Sequence, residues 1–105
     1  MSQGAEGGLD VVIVSFRCRE LLRGCLGSLR ACPPSVPMRV IVVDNASGDG
    51  TVEMLRAEHP EVTLRESGEN LGFGTATNLG ATLGDSEFLL ALNPDTSIPT
   101  RTKPR

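Results

Sequence analysis

The chain has 105 residues, of which 39% are hydrophobic and 22% are charged. This length and composition predict one ordinary globular domain and leave no room for a second. The formal net charge of -3 disfavours a nucleic-acid partner, because binding a phosphate backbone requires a basic surface. With three phenylalanines, no tryptophan and no tyrosine, the core must consist mainly of Val, Leu, Ile and Ala.

The first eight residues, MSQGAEGG, are small and polar, and we expect them to be disordered. They lack the basic start and the apolar centre of a signal peptide. No apolar run approaches the roughly 20 residues that would span a bilayer. These features predict a cytoplasmic protein whose ordered part begins at Leu9.

Three cysteines, Cys18, Cys25 and Cys32, recur at intervals of seven residues. This is neither a C-x-x-C pair nor a familiar zinc-ligand spacing. Residues seven apart lie on nearly the same face of a helix, so we expect reduced thiols that pack in the core. A redox or metal-binding role is the alternative.

The first half of the chain predicts strand, helix and strand. Leu9–Ser15 is mostly β-branched and does not alternate, which is typical of a parallel strand buried on both faces. Residues 18–31 carry apolar side chains with a helical period, and the prolines at 33 and 34 end that helix. Residues 39–44, RVIVVD, predict a second buried strand.

The second half repeats this alternation. A helix is predicted over Thr51–Glu58, with Asp49 or Ser47 as its N-cap, and His59 is expected at its end as a surface or dipole-compensating residue. Residues 62–65 predict a weaker strand near an edge of the sheet. The glycine-rich stretch 68–74 precedes a predicted helix over about 75–83, and residues 87–92 predict the fourth strand.

Strands that alternate with helices indicate an α/β fold, here a Rossmann-like parallel sheet of about four strands with flanking helices. We place this domain at residues 9–96. Residues 97–105 are rich in proline and basic residues, show no periodicity and predict a disordered tail.

Ligands of open α/β sheets bind beyond the carboxyl ends of the strands. Candidate residues follow three of the predicted strands: Ser15 with Phe16, Asp44 with Asn45, and Asn93 with Asp95. Asn78, on the predicted third helix, could reach the same edge. Each residue alone is also typical of a turn or of core packing. The functional hypothesis therefore depends on their combination.

Four segments carry a family resemblance, and they occur in the expected order: VVIVSF at 11–16, VVDNASGDGT at 42–51, ENLGFGTATNLG at 69–80 and LLALNPDT at 89–96. Together they resemble the start of the family 2 glycosyltransferases of the GT-A type, particularly the rhamnosyltransferase-like members. The resemblance covers residues 9–96. It implies an inverting enzyme that moves a sugar from a nucleoside diphosphate sugar to an acceptor hydroxyl, and the acceptor is not defined by these residues.

The resemblance implies that one set of residues surrounds the nucleotide: Val14, Ser15, Phe16, Asp44, Asn45, Gly72, Gly74 and Asn78. In this interpretation Asp44 accepts a hydrogen bond from the imide N–H of uracil or thymine. The glycines allow the backbone to approach the nucleotide and the sugar closely. The implied ligand is a UDP- or dTDP-linked sugar.

The resemblance also implies a divalent metal, because Asn93 and Asp95 stand where the family carries its Asp-x-Asp motif. Asp95 would hold Mg²⁺ or Mn²⁺, which stabilises the diphosphate leaving group. Asn93 replaces the first aspartate and lowers the charge of this site.

The family takes its catalytic base from a carboxylate in a later segment, and no acidic residue follows Thr96. We therefore expect this chain to be the donor-binding half of such an enzyme, without transfer activity by itself. Its fourth strand would be an edge strand, apolar on both faces, through which the chain could associate with itself.

Two alternatives remain open: a non-catalytic nucleotide-binding module, and an inert structural or interaction fragment. A dinucleotide-dependent oxidoreductase is disfavoured, because Gly72-Phe73-Gly74 does not follow the first strand and Thr77 occupies the position of the last glycine. An EF-hand over residues 44–50 fails because Ala46 occupies a ligand position. A Walker loop is absent from the sequence.

Overall fold

The computed structural model describes residues 8–31, 36–92 and 94, together with the backbone of residues 103–104. Strands and helices alternate as the sequence predicts. The elements are β1 (Leu9–Ser15), α1 (Arg19–Ala31), β2 (Met38–Asp44), α2 (Thr51–Glu58), β3 (Thr63–Glu66), α3 (Gly72–Ala81), β4 (Phe88–Leu92) and β5 (Lys103–Pro104).

The strands form one sheet in the order β3-β2-β1-β4-β5. β1 is parallel to both β2 and β4, and β2 is parallel to β3, whereas β5 is antiparallel to β4. The predicted parallel sheet of four strands is therefore confirmed, and β1 is the middle strand of the five. The chain progresses from β1 to β3 in one direction and then returns to the other side of β1 with β4, which makes the carboxyl end of β1 the expected ligand edge.

Two helices cover one face of the sheet and one helix covers the other. α1 and α2 pack on one face, where Leu22, Leu26 and Leu55 meet the inward side chains of β1 and β2. α3 packs on the other face, where Ala76 contacts Val14 and Val43. Since both faces of β1 are covered, its uninterrupted apolar run is explained by burial on both sides.

Gly80 sets the distance between α3 and the sheet. A Cβ atom at Gly80 would lie 2.5 Å from Cγ1 of Val12 and 3.1 Å from Cγ2 of Val43. Only glycine leaves room for the valine side chains at this separation. The position of α3, and with it the start of that helix near the ligand edge, depends on this contact.

The predicted start of α3 and the predicted N-cap of α2 are wrong. α3 begins at Gly72 and not near residue 75, because Asn70 Oδ1 accepts the Gly72 N–H at 3.0 Å and Gly72 adopts a φ of 79° that glycine tolerates. The N-cap of α2 is Gly50, at φ 87°, and not Asp49 or Ser47. Asp49 still serves that helix, since its Oδ1 accepts the N–H of Thr51 at 3.2 Å.

The ends of the domain also differ from the prediction. Gly8 belongs to the ordered part, because its carbonyl accepts the N–H of Phe88 at 3.0 Å. Lys103–Pro104, expected in a disordered tail, forms β5 and pairs with Phe88 and Leu89. β4 is therefore an edge strand over only part of its length. The open edge of β4 offers unpaired backbone groups, and β5 pairs with some of them. The remaining residues of the two predicted disordered segments lie outside the described residues.

His59 is buried and not at the surface, with 6% of its area exposed. It follows α2 as predicted, but Arg30 Nη2 lies 2.9 Å from its Nδ1 and joins it to α1. Among the cysteines, Cys18 is buried and Cys25 is half-buried, as core packing requires, and burial raises the pKa of the Cys25 thiol. Cys32 lies outside the described residues.

Across the ranges that the structure describes, no helix is long and apolar enough to cross a membrane. The cytoplasmic location stays a prediction.

Candidate functional site

A cleft of about 250 Å³ opens at the carboxyl ends of the two central strands. We call it the tip cleft. It is lined by Val14, Phe16, Cys18, Asn45, Asn70, Gly72 and Phe73. Its two aromatic side chains, Phe16 and Phe73, are 38% and 42% exposed. Exposed aromatic rings beside backbone and amide groups form a surface that suits a planar or sugar-like ligand.

Asn45 joins the three segments that form the tip cleft. Its backbone N–H donates to the carbonyl of Ser15 at 2.8 Å. Its side-chain nitrogen donates to the carbonyl of Gly72 at 3.3 Å, and its Oδ1 accepts from Ser67 Oγ at 3.1 Å. With 1% of its area exposed, Asn45 shapes the cleft by fixing its walls.

Asp44, the last residue of β2, carries a buried carboxylate that Ser47 holds at both oxygens. Ser47 Oγ donates to Asp44 Oδ1 at 2.6 Å, and the Ser47 N–H donates to Oδ2 at 3.3 Å. The same hydroxyl accepts the Arg17 N–H at 3.0 Å. The turn after β2 and the loop after β1 are thereby joined beside one carboxylate.

Asp44 borders a second and larger space of about 450 Å³, which we call the loop cavity. The loop cavity is lined by Asp44, Ala46, Gly48, Gly50, Thr51, Val52, Glu53, Arg56, Glu66 and Gly68. The consecutive residues Asp44 and Asn45 thus border different spaces, which adjoin across the end of β2. Arg56 is ion-paired with Glu66 at 3.0 Å, so the loop cavity carries a surplus of carboxylates.

Four of the predicted nucleotide-binding residues meet at the tip cleft: Val14, Phe16, Asn45 and Gly72. The others are placed differently. Ser15 is fully buried, with its Oγ 3.5 Å from Cys18 Sγ. Gly74 and Asn78 are exposed on α3. Because Ala76 and Gly80 face the sheet, Asn78 lies on the opposite side of that helix, away from the tip cleft.

The predicted metal ligands Asn93 and Asp95 lie outside the described residues. Within residues 8–31, 36–92 and 94, no group of three or more His, Cys, Asp or Glu side chains could hold a metal ion. The metal prediction therefore stays a prediction about the segment after β4.

The sequence matches a known protein family over nearly its whole length. The model of glycosyl transferase family 2 matches residues 10–105. The chain belongs to glycosyl transferase family 2.

Two curated relatives show how this family 2 chain compares with longer members. They are N-acetylglucosaminyl-diphospho-decaprenol L-rhamnosyltransferases from two strains of Mycobacterium tuberculosis, each 35% identical over 98 residues. The match covers 83% of this chain but 32% of each relative. The chain therefore spans about a third of the length of the curated relatives it matches.

Solved structures share the fold of this family 2 chain. A mannosyltransferase from Pyrobaculum calidifontis, solved with GDP-Man and Mn²⁺, superposes with a TM-score of 0.71 at 26% identity and is matched over 27% of its length. S. aureus TarS 1-349, also solved with UDP, gives a TM-score of 0.74 at 22% identity over 27% of its length. The comparisons cover 83% and 84% of this chain.

Sequence reasoning missed two serines that organise the candidate site. Ser67 Oγ lies 3.1 Å from both the carbonyl of Asp44 and Oδ1 of Asn45. Ser47 was considered only as a helix cap. The available signal was its position three residues after Asp44, a spacing at which a serine commonly hydrogen-bonds an aspartate in a turn.

Proposed function

We propose that this chain binds the nucleoside diphosphate sugar donor of an inverting glycosyltransferase. The observation that carries the proposal is the convergence of Phe16, Asn45 and Gly72 on one cleft at the carboxyl edge of the sheet, beside the carboxylate of Asp44. Family membership supports the reaction class.

The two spaces border the consecutive residues Asp44 and Asn45 at the end of β2. We propose that the base lies in the loop cavity, where Asp44 accepts the imide N–H of uracil or thymine. The ribose then passes the tip cleft, near the rings of Phe16 and Phe73. The diphosphate and sugar continue along the carboxyl edge toward the end of β4. This route crosses the strands in the order β2, β1, β4, which is the order of the sheet.

The residues that follow β4 have oxygen atoms that suit a divalent cation. Asp95 and Asn93 offer carboxylate and amide oxygens, which hard cations such as Mg²⁺ and Mn²⁺ prefer. Such an ion stabilises the negative charge of the departing nucleoside diphosphate. The Pyrobaculum mannosyltransferase was solved with Mn²⁺ and GDP-Man, which supports testing a divalent metal here.

The relatives guide the choice of sugar. Because the Mycobacterium tuberculosis relatives are named as L-rhamnosyltransferases, a dTDP-linked L-rhamnose is the first donor to test. We propose that the 105-residue polypeptide binds donor without transferring sugar, since the acceptor groups and the base belong to other parts of the family fold. Catalytic release of dTDP by this polypeptide would contradict that part of the proposal.

Calorimetric titration with UDP and with dTDP, each with and without Mn²⁺, tests donor binding. We expect saturable binding of both nucleotides and tighter binding when Mn²⁺ is present. Equal affinities with and without Mn²⁺ would support the alternative of a metal-independent nucleotide-binding module. No binding at millimolar nucleotide would contradict the proposed function and favour an inert fragment.

We also propose that the chain self-associates through β4. β5 pairs with Phe88 and Leu89 only, so residues 90–92 have no second neighbouring strand in the described part of the chain. All five β4 side chains are half-buried. Sedimentation velocity from micromolar to submillimolar protein should show a concentration-dependent increase in mass. A monomer over that whole range would contradict self-association.

A further inference from the structure

Ser47 is positioned to control the direction in which the Asp44 carboxylate can accept hydrogen bonds. A serine hydroxyl has one proton, and here it goes to Asp44 Oδ1, the nearer acceptor at 2.6 Å, and not to the carbonyl of Ser15 at 3.5 Å. The N–H of Ser47 binds the other carboxylate oxygen at 3.3 Å. Two donors from one residue therefore fix the rotation of the carboxylate plane.

The loop after β1 completes this arrangement. The N–H of Arg17 donates to the Ser47 hydroxyl at 3.0 Å, which directs the hydroxyl proton toward Asp44. Arg17 has a φ of 54°, an uncommon conformation for a residue with a side chain, and such conformations persist when surrounding contacts hold them. The guanidinium of Arg17 lies 5.0 Å from the centroid of the Phe16 ring. Ser47 thus joins the Asp44 carboxylate to the loop that carries Phe16.

Burial makes this network a fixed part of the site. Ser47 and Asp44 are 5% and 4% exposed, so water competes little for their hydrogen bonds. Each carboxylate oxygen can accept two hydrogen bonds, and Ser47 uses one on each. The remaining acceptor positions of Asp44 therefore point in directions set by Ser47.

We propose that Ser47 is a positioning residue that makes the site prefer bases with a ring N–H, such as uracil and thymine, over cytosine. Cytosine presents an unprotonated ring nitrogen at that position, which repels a carboxylate held in a fixed orientation. The inference rests on the proposed donor binding. It adds that base preference depends on Ser47 as well as on Asp44.

The chain provides a matched control at the other end of the sheet. Ser86 Oγ donates to Asp10 Oδ1 at 2.7 Å, and the Ser86 N–H donates to Oδ2 at 3.2 Å. Ser86 and Asp10 are 5% and 0% exposed. Ser47→Ala and Ser86→Ala therefore remove the same kind of hydrogen bond from a buried aspartate, but only the first does so at the candidate site.

The experiment measures the dissociation constants of UDP and CDP for the parent chain, Ser47→Ala, Ser47→Thr and Ser86→Ala, each with Mg²⁺. We expect the parent to bind UDP about tenfold more tightly than CDP, which corresponds to one good hydrogen bond. Ser47→Ala should reduce the ratio of the CDP dissociation constant to the UDP dissociation constant by about threefold or more. Ser47→Thr, which keeps the hydroxyl, should restore the ratio, and Ser86→Ala should leave it unchanged.

Each contrary result has a distinct meaning. If Ser47→Ala weakens UDP and CDP equally and keeps their ratio, Ser47 has a structural role only and the inference is wrong. If the parent binds both nucleotides equally, base preference is absent and the inference is wrong, while donor binding stands. If the parent binds neither nucleotide, the proposed function itself fails.

Discussion

The hydroxyl of Ser86 donates a 2.7 Å hydrogen bond to the carboxylate of Asp10, a fully buried residue near the start of β1. Ser86 lies in the loop between α3 and β4, so this bond ties the end of one crossover to the central strand. Gly84 passes so close to Asp10 that a Cβ atom there would collide with the carboxylate. The amino end of the sheet is thus stabilised by a polar contact, opposite the edge where the ligand is proposed to bind.

Replacing Ser86 with alanine should destabilise the fold by about 1–3 kcal/mol, because it removes a hydrogen bond from a buried carboxylate. Urea unfolding followed by circular dichroism measures the change. Ser28→Ala is the control: Ser28 is exposed on α1, and its replacement should change the free energy of unfolding by less than about 0.5 kcal/mol. Equal effects of the two substitutions would show that the Asp10 contact adds nothing to stability.

Gly80→Ala should destabilise the chain by about 1–3 kcal/mol, because the added methyl group overlaps Val12 and Val43. Gly27→Ala offers the opposite case, since a Cβ at this exposed α1 position meets nothing within 4 Å. That substitution should stabilise by about 0.5–1 kcal/mol through helix propensity. Thermal unfolding of both variants tests the pair, and a neutral Gly80→Ala would contradict the close packing of α3.

Ala46→Gly should stabilise the chain by about 0.5–1 kcal/mol. Ala46 is exposed and has a φ of 60°, a left-handed conformation that is costly for alanine and free for glycine. The same substitution at Ala57, exposed within α2, should destabilise by about 1 kcal/mol. In urea unfolding, the two substitutions should change the free energy of unfolding in opposite directions. Destabilisation by both would contradict the conformation of the turn after β2.

Asp49 should make stability depend on pH. Its slight burial raises the pKa of its carboxyl, but hydrogen bonds from the hydroxyl and N–H of Thr51 and from the N–H of Arg19 outweigh this and lower the pKa below the ordinary 3.8. A lowered folded pKa stabilises the fold above the unfolded value, and the stabilisation is lost as pH falls through the folded value.

Asp49→Asn should therefore cost about 0.5 kcal/mol near pH 7, a modest effect because the carboxylate beside the start of α2 is largely screened by water. The cost should be smaller at about pH 2.5 than near pH 7, because the parent carboxyl becomes protonated as pH falls through its lowered pKa. Urea unfolding at both values measures the difference. A cost that does not change with pH would show that the charge of Asp49 is irrelevant to stability.

The sequence predicts the parts of the fold that depend on local pattern. β1 and α2 have the predicted bounds. The β-branched run of β1 favours a strand, and Gly50 and Pro60 mark the two ends of α2. The start of α3 was missed because Gly72 and Gly74 disfavour a helix locally, whereas packing of Ala76 and Gly80 on the sheet favours it.

The sequence predicts which residues follow the strands at the carboxyl edge, but not the hydrogen bonds that connect them. Asn45 and Phe16 reach the tip cleft as expected, whereas the bonds from Asn45 to Ser67 and Gly72 join residues 22 and 27 positions apart, which no local pattern encodes. The sequence predicts that Asn78 could reach the same edge, because it lies on the helix that follows the glycine-rich stretch. The rotation of α3, set by Gly80, instead turns it away.

Chemical-shift mapping with UDP and Mg²⁺ tests the central claim, donor binding at the carboxyl edge, most directly. In a two-dimensional ¹⁵N spectrum of the 105-residue chain, saturable shifts are expected for the amides of Phe16, Asp44, Ser47 and Gly72. The amides of His59 and Ser86, at other parts of the fold, should remain unshifted. No shifts at millimolar UDP, or shifts confined to His59 and Ser86, would contradict the account.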